Sequence, residues 1–201
     1  MKLNTQILLV LLLITMVFLS GCTQQTTTAP ETNKVTPQEQ PKTKLSSLEP
    51  SNLILQLSDL SSNFSIKERT ERVRSDVNED ARNLGWKKGY YVRFVKGETL
   101  LDMMVIEHSI SIYPIENISK VITTQWKSDD NVTYDELSKP NLGDDSRAFR
   151  ITQKSEFGQE NRVYLIEFVK MDVYEALYMR GTTTDFEILK ELAKKAEAKI
   201  K

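Results

Sequence analysis

The strongest constraint on the fold is a two-residue alternation of apolar side chains in the middle of the chain. A first run alternates over residues 90–94, and after a turn at Gly97-Glu98 a second run alternates over residues 104–112. The second run places five side chains on one face: Met104, Ile106, His108, Ile110 and Ile112. Successive side chains of a strand point to opposite faces, so this period predicts two half-buried strands joined as an antiparallel hairpin.

Further strands and helices follow from the same kind of pattern. Strands are predicted around residues 149–154 and over residues 162–170 and 173–180, with Phe157-Gly158 and Met171-Asp172 as turns. Helices are predicted over residues 76–84, over residues 114–126 after Pro114, and from Thr184, where Glu187 completes a capping box. The apolar stripe of the last helix is Phe186, Leu189, Leu192, Ala193, Ala196 and Ile200. These elements predict an α+β fold with helices packed on an antiparallel sheet.

Three segments give weaker patterns. Residues 48–60 favour a short helix with Pro50 in its first turn, although their leucines also alternate as in a strand. Residues 64–73 are charged and predict an edge strand, and residues 129–143 predict a polar loop.

The order of elements also suggests that the two halves are related. Each half gives a hairpin and a further strand with a methionine, and ends on an amphipathic helix. The tripeptide at residues 94–96 recurs at residues 168–170. An internal duplication of a β-β-β-α unit explains the pattern, and so does chance similarity between two amphipathic hairpins.

The N-terminus has the properties of an export signal. Residues 7–19 form an almost wholly apolar run, which is shorter than the ~20 residues that span a bilayer. Residues 23–47 are rich in Thr, Gln, Pro and Lys without apolar periodicity, so we expect a disordered tether. The predicted organisation is therefore a signal peptide over residues 1–21, a lipidated cysteine and tether over residues 22–47, and one globular domain over residues 48–201.

The residues after the apolar run resemble a known processing motif. Leu19-Ser20-Gly21-Cys22 resembles the lipobox of prokaryotic lipoproteins, in which small residues precede the cleaved bond and the cysteine thiol receives lipid. The resemblance implies cleavage before Cys22 and attachment to the extracytoplasmic face of the cell membrane. An ordinary N-terminal membrane helix is the alternative, and it also places the domain outside the cytoplasm.

The globular part resembles the small lipoproteins that carry a PsbP-like α/β/α sandwich. The likeness lies in residues 142–149, Leu-Gly-Asp-Asp-Ser-Arg-Ala-Phe, followed by a hairpin and a C-terminal helix. Residues 85–90, Gly-Trp-Lys-Lys-Gly-Tyr, resemble a segment common in archaeal lipoproteins of this kind. The resemblance implies an assembly or binding accessory, and it brings no catalytic motif.

Composition and missing motifs exclude several classes of function. The formal net charge of -1 argues against nucleic-acid binding, which needs a basic surface. One cysteine and one histidine cannot build a zinc site of the usual kind. The sequence has no G-x-S-x-G elbow, P-loop or G-x-G-x-x-G motif, so we predict no catalytic residue, no cofactor and no metal.

Four residues are candidates for ligand binding. Trp86, Tyr90 and Tyr91 lie near Lys87 and Lys88, a combination that binds glycans, peptides or lipid headgroups, although aromatic residues also fill cores.

The fourth is His108, which is either a general base or pH sensor in a pocket or a core histidine with a polar partner. Two further features are left open by the sequence. The carboxylates of the acidic segment 129–145 could bind calcium if they converged in space. Asn63, Asn117 and Asn131 occupy N-x-S/T triplets, which a glycosylating host can modify.

The sequence therefore predicts a membrane-anchored, extracytoplasmic, non-enzymatic binding or assembly protein. Its expected partners are the membrane, through lipid, and an envelope protein or glycan. The alternative is an envelope enzyme or enzyme inhibitor with a site built from carboxylates and tyrosines. A concave site with convergent polar groups would distinguish these possibilities from a shallow apolar patch.

Overall fold

The computed structural model of the chain describes residues 48–97, 99, 102–124, 126, 128–155 and 160–201. The predicted signal peptide, Cys22 and the tether lie outside the described residues, as do Phe157 and Gly158. Residues 48–201 all fall in one compact unit.

The centre of the structure is a seven-stranded antiparallel sheet. Its strand order is β1-β2-β3-β7-β6-β5-β4. The strands are β1 Ser65–Arg72, β2 Lys88–Lys96, β3 Met104–Ile112, β4 Val132–Glu136, β5 Asp145–Lys154, β6 Glu160–Lys170 and β7 Val173–Gly181. The helices are α1 Pro50–Leu53, α2 Glu79–Asn83, α3 Ile118–Thr123 and α4 Phe186–Glu197. The prediction of an α+β fold with an antiparallel sheet is confirmed.

Both predicted hairpins form, and together they build the middle of the sheet. β2 pairs with β3 in one register from Lys88↔Ile112 to Lys96↔Met104. β6 and β7 pair across the predicted Met171-Asp172 turn, where Met171 has a φ of 57°. β3 and β7 then pair with each other, so the two hairpins meet at the centre of the sheet.

One face of the sheet, the core face, carries the main hydrophobic core. It is covered by α1 and α4, and the alternating run of β3 lies on it as predicted. The predicted stripe of α4 supplies the buried side chains Leu189, Leu192, Ala193, Ala196 and Ile200. Each fully buried leucine or isoleucine side chain stabilises the fold by about 1.5–3 kcal/mol relative to exposure, so this face holds the fold together without a disulfide.

The opposite face, the cleft face, is covered only in part. α2 and α3 lie over one end of it, where Val77, Trp86, Tyr113 and Val121 form a second buried cluster. The helix predicted over residues 76–84 is thus present as the shorter α2, which Asn78 caps and Gly85 follows with a φ of 85°. A third cluster, formed around Leu165 of β6, includes Ile151 of β5 and Ala176 of β7.

Several predicted boundaries need correction. Residues 48–60 form the four-residue helix α1, with Pro50 in its first turn as expected, and then a short extended segment and a 3-10 turn at Leu57–Asp59. The predicted loop at residues 129–143 contains a strand, β4, which pairs with β5 at the sheet edge. A five-residue edge strand with one partner buries few side chains, so its apolar pattern is weak.

Two helix ends also differ from the prediction. The helix expected over residues 114–126 is a 3-10 turn followed by α3, which ends at Thr123, so Trp126 lies beyond it and Ile115 is exposed. The cap of α4 is Asp185, whose side chain accepts a hydrogen bond from the Glu187 N–H, and not Thr184.

Each half of the chain has three strands and a closing helix, but α2 interrupts the first set, which runs β1-α2-β2-β3-α3 against β5-β6-β7-α4 in the second. Their closing helices pack on opposite faces of the sheet. Duplication therefore stays a prediction.

Candidate functional site: the tyrosine cleft

A cavity of ≈ 620 Å³ opens on the cleft face beside α2 and α3. Four of the seven tyrosines of the chain line it: Tyr91, Tyr113, Tyr174 and Tyr178. Trp126, Arg72, Arg147 and Glu167 also line it, and we call this site the tyrosine cleft. Its volume lies within the range of small-molecule sites, roughly 300–1,000 Å³.

The strand register assembles the floor of the cleft. Tyr91 of β2 pairs with Ser109 of β3, and Ser109 pairs with Ala176 of β7. Tyr174 and Tyr178 lie two residues on either side of Ala176, so all three share the cleft face. The floor is therefore an aromatic surface interrupted by small side chains, with α2 and the segment after α3 as walls.

A buried carboxylate organises one side of the cleft. Glu167 is 1 % exposed. Its Oε2 accepts hydrogen bonds from Arg147 Nε at 2.6 Å and from Trp126 Nε1 at 3.0 Å, and its Oε1 accepts one from the Tyr174 hydroxyl. Charge-assisted hydrogen bonds of this kind hold the groups in fixed positions. Glu167 is thus an anchor for Arg147, Trp126 and Tyr174, and both of its oxygens are occupied.

The tyrosines of the cleft keep their protons at neutral pH. Burial raises the pKa of Tyr113 to about 12, and burial with the nearby Glu107 raises the pKa of Tyr91 to about 12. Burial, followed by the charge of Glu167, raises the pKa of Tyr174 and of Tyr178 well above the ordinary value near 10. These hydroxyls therefore stay protonated at neutral pH, and that of Tyr174 donates its proton to Glu167.

Arg72 brings a positive charge to the cleft. Its Nη1 donates to Ser109 Oγ at 3.1 Å and its Nη2 donates to the Asp76 carbonyl at 3.2 Å. A guanidinium has five N–H donors, so these two bonds leave donors for a ligand. Arg147 differs, because its charge is balanced by Glu167.

Trp126 forms an aromatic rim. Its ring stacks on Tyr134 with centroids 5.6 Å apart and planes inclined by 22°, and Tyr134 meets Phe149 edge to face. Trp126 is nevertheless 39 % exposed. A stacked but exposed indole is a rigid platform on which a ligand ring can lie.

The structure separates the four residues predicted to bind ligand. Tyr91 lines the tyrosine cleft. Trp86 is buried beneath it and donates from Nε1 to Ser111 Oγ at 3.1 Å. Tyr90 lies on the core face under Arg69, and His108 is fully buried on that same face. These four side chains therefore do not form one site, and their role in binding stays a prediction.

His108 is a core histidine with two polar partners. Its Nδ1 accepts a hydrogen bond from the Leu55 N–H at 3.1 Å, so its proton is on Nε2, which lies 2.8 Å from Glu175 Oε2. Both side chains are 0 % exposed. Glu175 Oε1 is buried and finds no hydrogen-bond partner within the part of the chain that the structure describes.

The acidic segment does not gather its carboxylates. Asp135 pairs with Arg150, Asp145 pairs with Lys139, and Asp144 accepts from the Met171 N–H. Across residues 48–201, apart from the undescribed gaps, no group of three or more His, Cys, Asp or Glu side chains could hold a metal ion. In the same residues, no helix has the length and apolar content needed to cross a membrane.

The three N-x-S/T triplets lie in different surroundings. Asn63 and Asn131 are exposed, whereas Asn117 donates from its side-chain amide to the Leu84 carbonyl at 3.1 Å. Glycosylation at any of them is untested.

Sequence reasoning missed most of the cleft because its residues come from distant segments. Arg72, Glu167, Tyr174 and Tyr178 lie on three strands and face one another only after the sheet has formed. One signal was present: Glu167 is an acidic residue at a position that alternation assigns to a buried strand. Trp126 is the last residue of the helix predicted over residues 114–126, and in the structure it is instead the exposed rim of the cleft.

Comparison with known proteins gives the fold alone. No family model matches the chain, and no curated protein matches it. The structure is similar to the extracellular domain of PknH from Mycobacterium tuberculosis, with a TM-score of 0.55 and 12 % sequence identity. The match covers 75 % of this chain and 93 % of that one. This likeness supports the α+β architecture.

Proposed function

We propose that the chain is a lipid-anchored, extracytoplasmic binding protein that captures a small ligand of the cell envelope in the tyrosine cleft. The observation that carries the proposal is the concentration of four tyrosines, an exposed tryptophan and five charged side chains around one cavity. Small-molecule binding sites of proteins are concave and combine aromatic side chains with a few convergent polar groups. The similar architecture of an extracellular domain is compatible with this location.

The chemistry of the cleft supports binding over catalysis. Glu167 accepts three hydrogen bonds from donors within the protein, so its carboxylate is poorly placed to take a proton from a substrate as a catalytic base. The raised pKa values of Tyr113 and Tyr91 make phenolate nucleophiles unfavourable at neutral pH. Positions fixed by internal hydrogen bonds suit a preformed binding site. The enzyme alternative would need a different carboxylate.

The anchor gives the first test. If the thiol of Cys22 carries lipid, Cys22→Ala should leave the precursor uncleaved or release the protein from membranes. The reason is that an acyl chain supplies ~0.8 kcal/mol of membrane-binding free energy for each buried methylene, and the variant has no acyl chain. Fractionation of cells and mass spectrometry of the N-terminus measure both outcomes. Ser20→Thr is a control that leaves the thiol in place. A Cys22→Ala protein that is cut at the same bond and still sediments with membranes would contradict the anchor.

The two tryptophans give the test of the cleft. Trp126 is 39 % exposed at the rim, whereas Trp86 is 6 % exposed and lies below the lining. A ligand in the cleft changes the polarity around Trp126, so titration with the dialysable fraction of a cell-envelope digest should change its emission in a saturable manner. The change should persist in Trp86→Phe and disappear in Trp126→Phe.

The opposite pattern would reject the cleft as the binding site. A response that survives Trp126→Phe and is lost in Trp86→Phe would place the ligand elsewhere. The absence of any saturable response in the unsubstituted protein would remove the proposed function itself.

A further inference from the structure

We propose that the tyrosine cleft takes an uncharged sugar, a pyranose ring that lies on the indole of Trp126 while its hydroxyl groups bond to polar side chains of the lining. This inference rests on the proposed function, because it names the ligand class of the same cleft. Its basis is the combination of a fixed, exposed aromatic face with a lining that holds both hydrogen-bond donors and acceptors and charges of both signs.

The Trp126 ring is held in place by two contacts and is still open to a ligand. One contact is its stacking on Tyr134, with ring centroids 5.6 Å apart. The other is the hydrogen bond from its Nε1 to Glu167 Oε2 at 3.0 Å. Tyr134 covers one face of the indole, and the residue nevertheless remains 39 % exposed and lines the cavity. Because the ring is already ordered, a sugar ring that packs on it has no side-chain entropy to overcome there.

The polar groups of the lining include both donors and acceptors. The Arg72 guanidinium uses two of its five N–H groups, on Ser109 Oγ at 3.1 Å and on the Asp76 carbonyl at 3.2 Å. In the described part of the chain, no hydrogen bond occupies the Asp80 carboxylate or the Tyr178 hydroxyl. A sugar hydroxyl donates one hydrogen bond and accepts up to two, so a ring with several hydroxyls can use such a mixed set of partners.

The charges of the lining favour a neutral ligand. Two arginines, Arg72 and Arg147, stand against three carboxylates, those of Asp76, Asp80 and Glu167. The carboxylates repel a carboxylate or phosphate ligand, and the guanidinium groups repel an amine. A hydroxyl group avoids both penalties, because it can donate to a carboxylate and accept from a guanidinium.

A flat aromatic ligand would use the indole but not the rest of the lining. Such a ring has few hydrogen-bonding groups, so the donors and acceptors of the cleft would lose water without gaining a partner. A pyranose has C–H groups that pack on an aromatic ring and hydroxyls around its edge. Ser109 and Ala176, which are neighbours in the register of β3 and β7, interrupt the aromatic floor with small side chains where such hydroxyls can lie.

The experiment uses isothermal titration calorimetry on the full chain, solubilised in a detergent that has no sugar headgroup. The neutral probes are the methyl glycosides of glucose, galactose, mannose and N-acetylglucosamine. Glucuronate and glucosamine are the charged probes, and N-acetylphenylalanine amide is the aromatic probe. We expect at least one neutral glycoside to bind at least about fivefold more tightly than each charged probe and than the aromatic probe, since an unpaired buried polar group has at least this effect.

Two variants test the position of the sugar. Trp126→Ala removes the aromatic face and should weaken binding of that glycoside at least about fivefold. Tyr178→Phe keeps the ring but removes one hydroxyl, and it should weaken binding about 2- to 12-fold. Ile188→Ala is the matched control for Trp126→Ala, because Ile188 is an exposed apolar side chain of α4, which packs on the core face, and it does not line the cleft. It should bind as the unsubstituted protein does.

Thermal unfolding followed by far-UV circular dichroism shows whether each variant is folded, and Tyr178→Phe decides if Trp126→Ala is not. Three results would overturn the inference. In the first, no neutral glycoside binds. In the second, a charged or aromatic probe binds as tightly as the best neutral glycoside. In the third, the deciding variant binds that glycoside as well as Ile188→Ala does.

The first of these results separates the two proposals. If no neutral glycoside binds but the envelope digest still changes Trp126 emission, the cleft is a binding site for another ligand class. If the digest also fails to change that emission, the proposed function fails as well.

Discussion

His108→Leu is expected to lower the free energy of unfolding by about 3 kcal/mol or more, because a buried carboxyl group and a buried backbone N–H both lose a hydrogen-bond partner. The substitution deletes the Nε2–H that lies 2.8 Å from Glu175 Oε2. Glu175 Oε1 is already without a partner among the described residues, so the whole carboxyl group would then be buried without a donor. The Leu55 N–H would lose its acceptor as well.

The double substitution distinguishes this mechanism from a simple change of packing. With His108→Leu and Glu175→Leu together, no carboxyl group remains at this site, and two apolar side chains face the core beside Ile106 and Leu177. We expect the double variant to lose about 2–3 kcal/mol less than the sum of the two single variants. Urea unfolding followed by circular dichroism measures all four proteins. Strictly additive losses would mean that the two side chains do not interact.

The alternation of β3 predicted both the strand and its buried face correctly, because the physical cause of the pattern is local. Met104, Ile106, Ile110 and Ile112 lie on the core face as the two-residue period required. The same reasoning placed His108 on that face, but the pattern contains nothing about its partner. Glu175 lies 67 positions away in the chain and meets His108 only because β3 and β7 pair.

The predicted ligand-binding residues show that residues adjacent in the sequence need not belong to the same binding site. Tyr90 and Tyr91 are adjacent, so a strand sends them to opposite faces, and only Tyr91 reaches the cleft. Trp86 precedes β2 and is covered by α2 and α3. The cleft residues that face Tyr91 come from β1, β6 and β7, and their convergence depends on a strand order that no local pattern specifies.

The segment on which the family resemblance was based has a clear structural role. Residues 142–149 begin at the turn before β5 and tie three parts of the fold together. The Gly143 N–H donates to Glu197 Oε1 on α4 at 3.0 Å. The Asp144 carboxylate accepts from the Met171 N–H in the β6–β7 turn at 2.6 Å, and the Asp144 N–H donates to the Val169 carbonyl at 2.8 Å. The motif therefore has a structural role in the fold, and it also brings Arg147 to the cleft.

Gly143→Ala tests that role and is expected to lower the free energy of unfolding by about 3 kcal/mol or more, in the range of severe backbone substitutions. Gly143 has a φ of 57°, which a residue with a Cβ adopts at a penalty of about 1–2 kcal/mol. A Cβ there would also lie 2.2 Å from the Val169 carbonyl oxygen, so the backbone would have to move.

Asn141→Ala is the matched control for this substitution, because Asn141 has a φ of 55° and is exposed. It should lose only the left-handed preference, about 1–2 kcal/mol. The difference between the two variants, measured by urea unfolding, is the contribution of the contact with Val169. Equal losses would show that the turn shifts away from Val169 without penalty, and the segment would then not hold β5, the β6–β7 turn and α4 together.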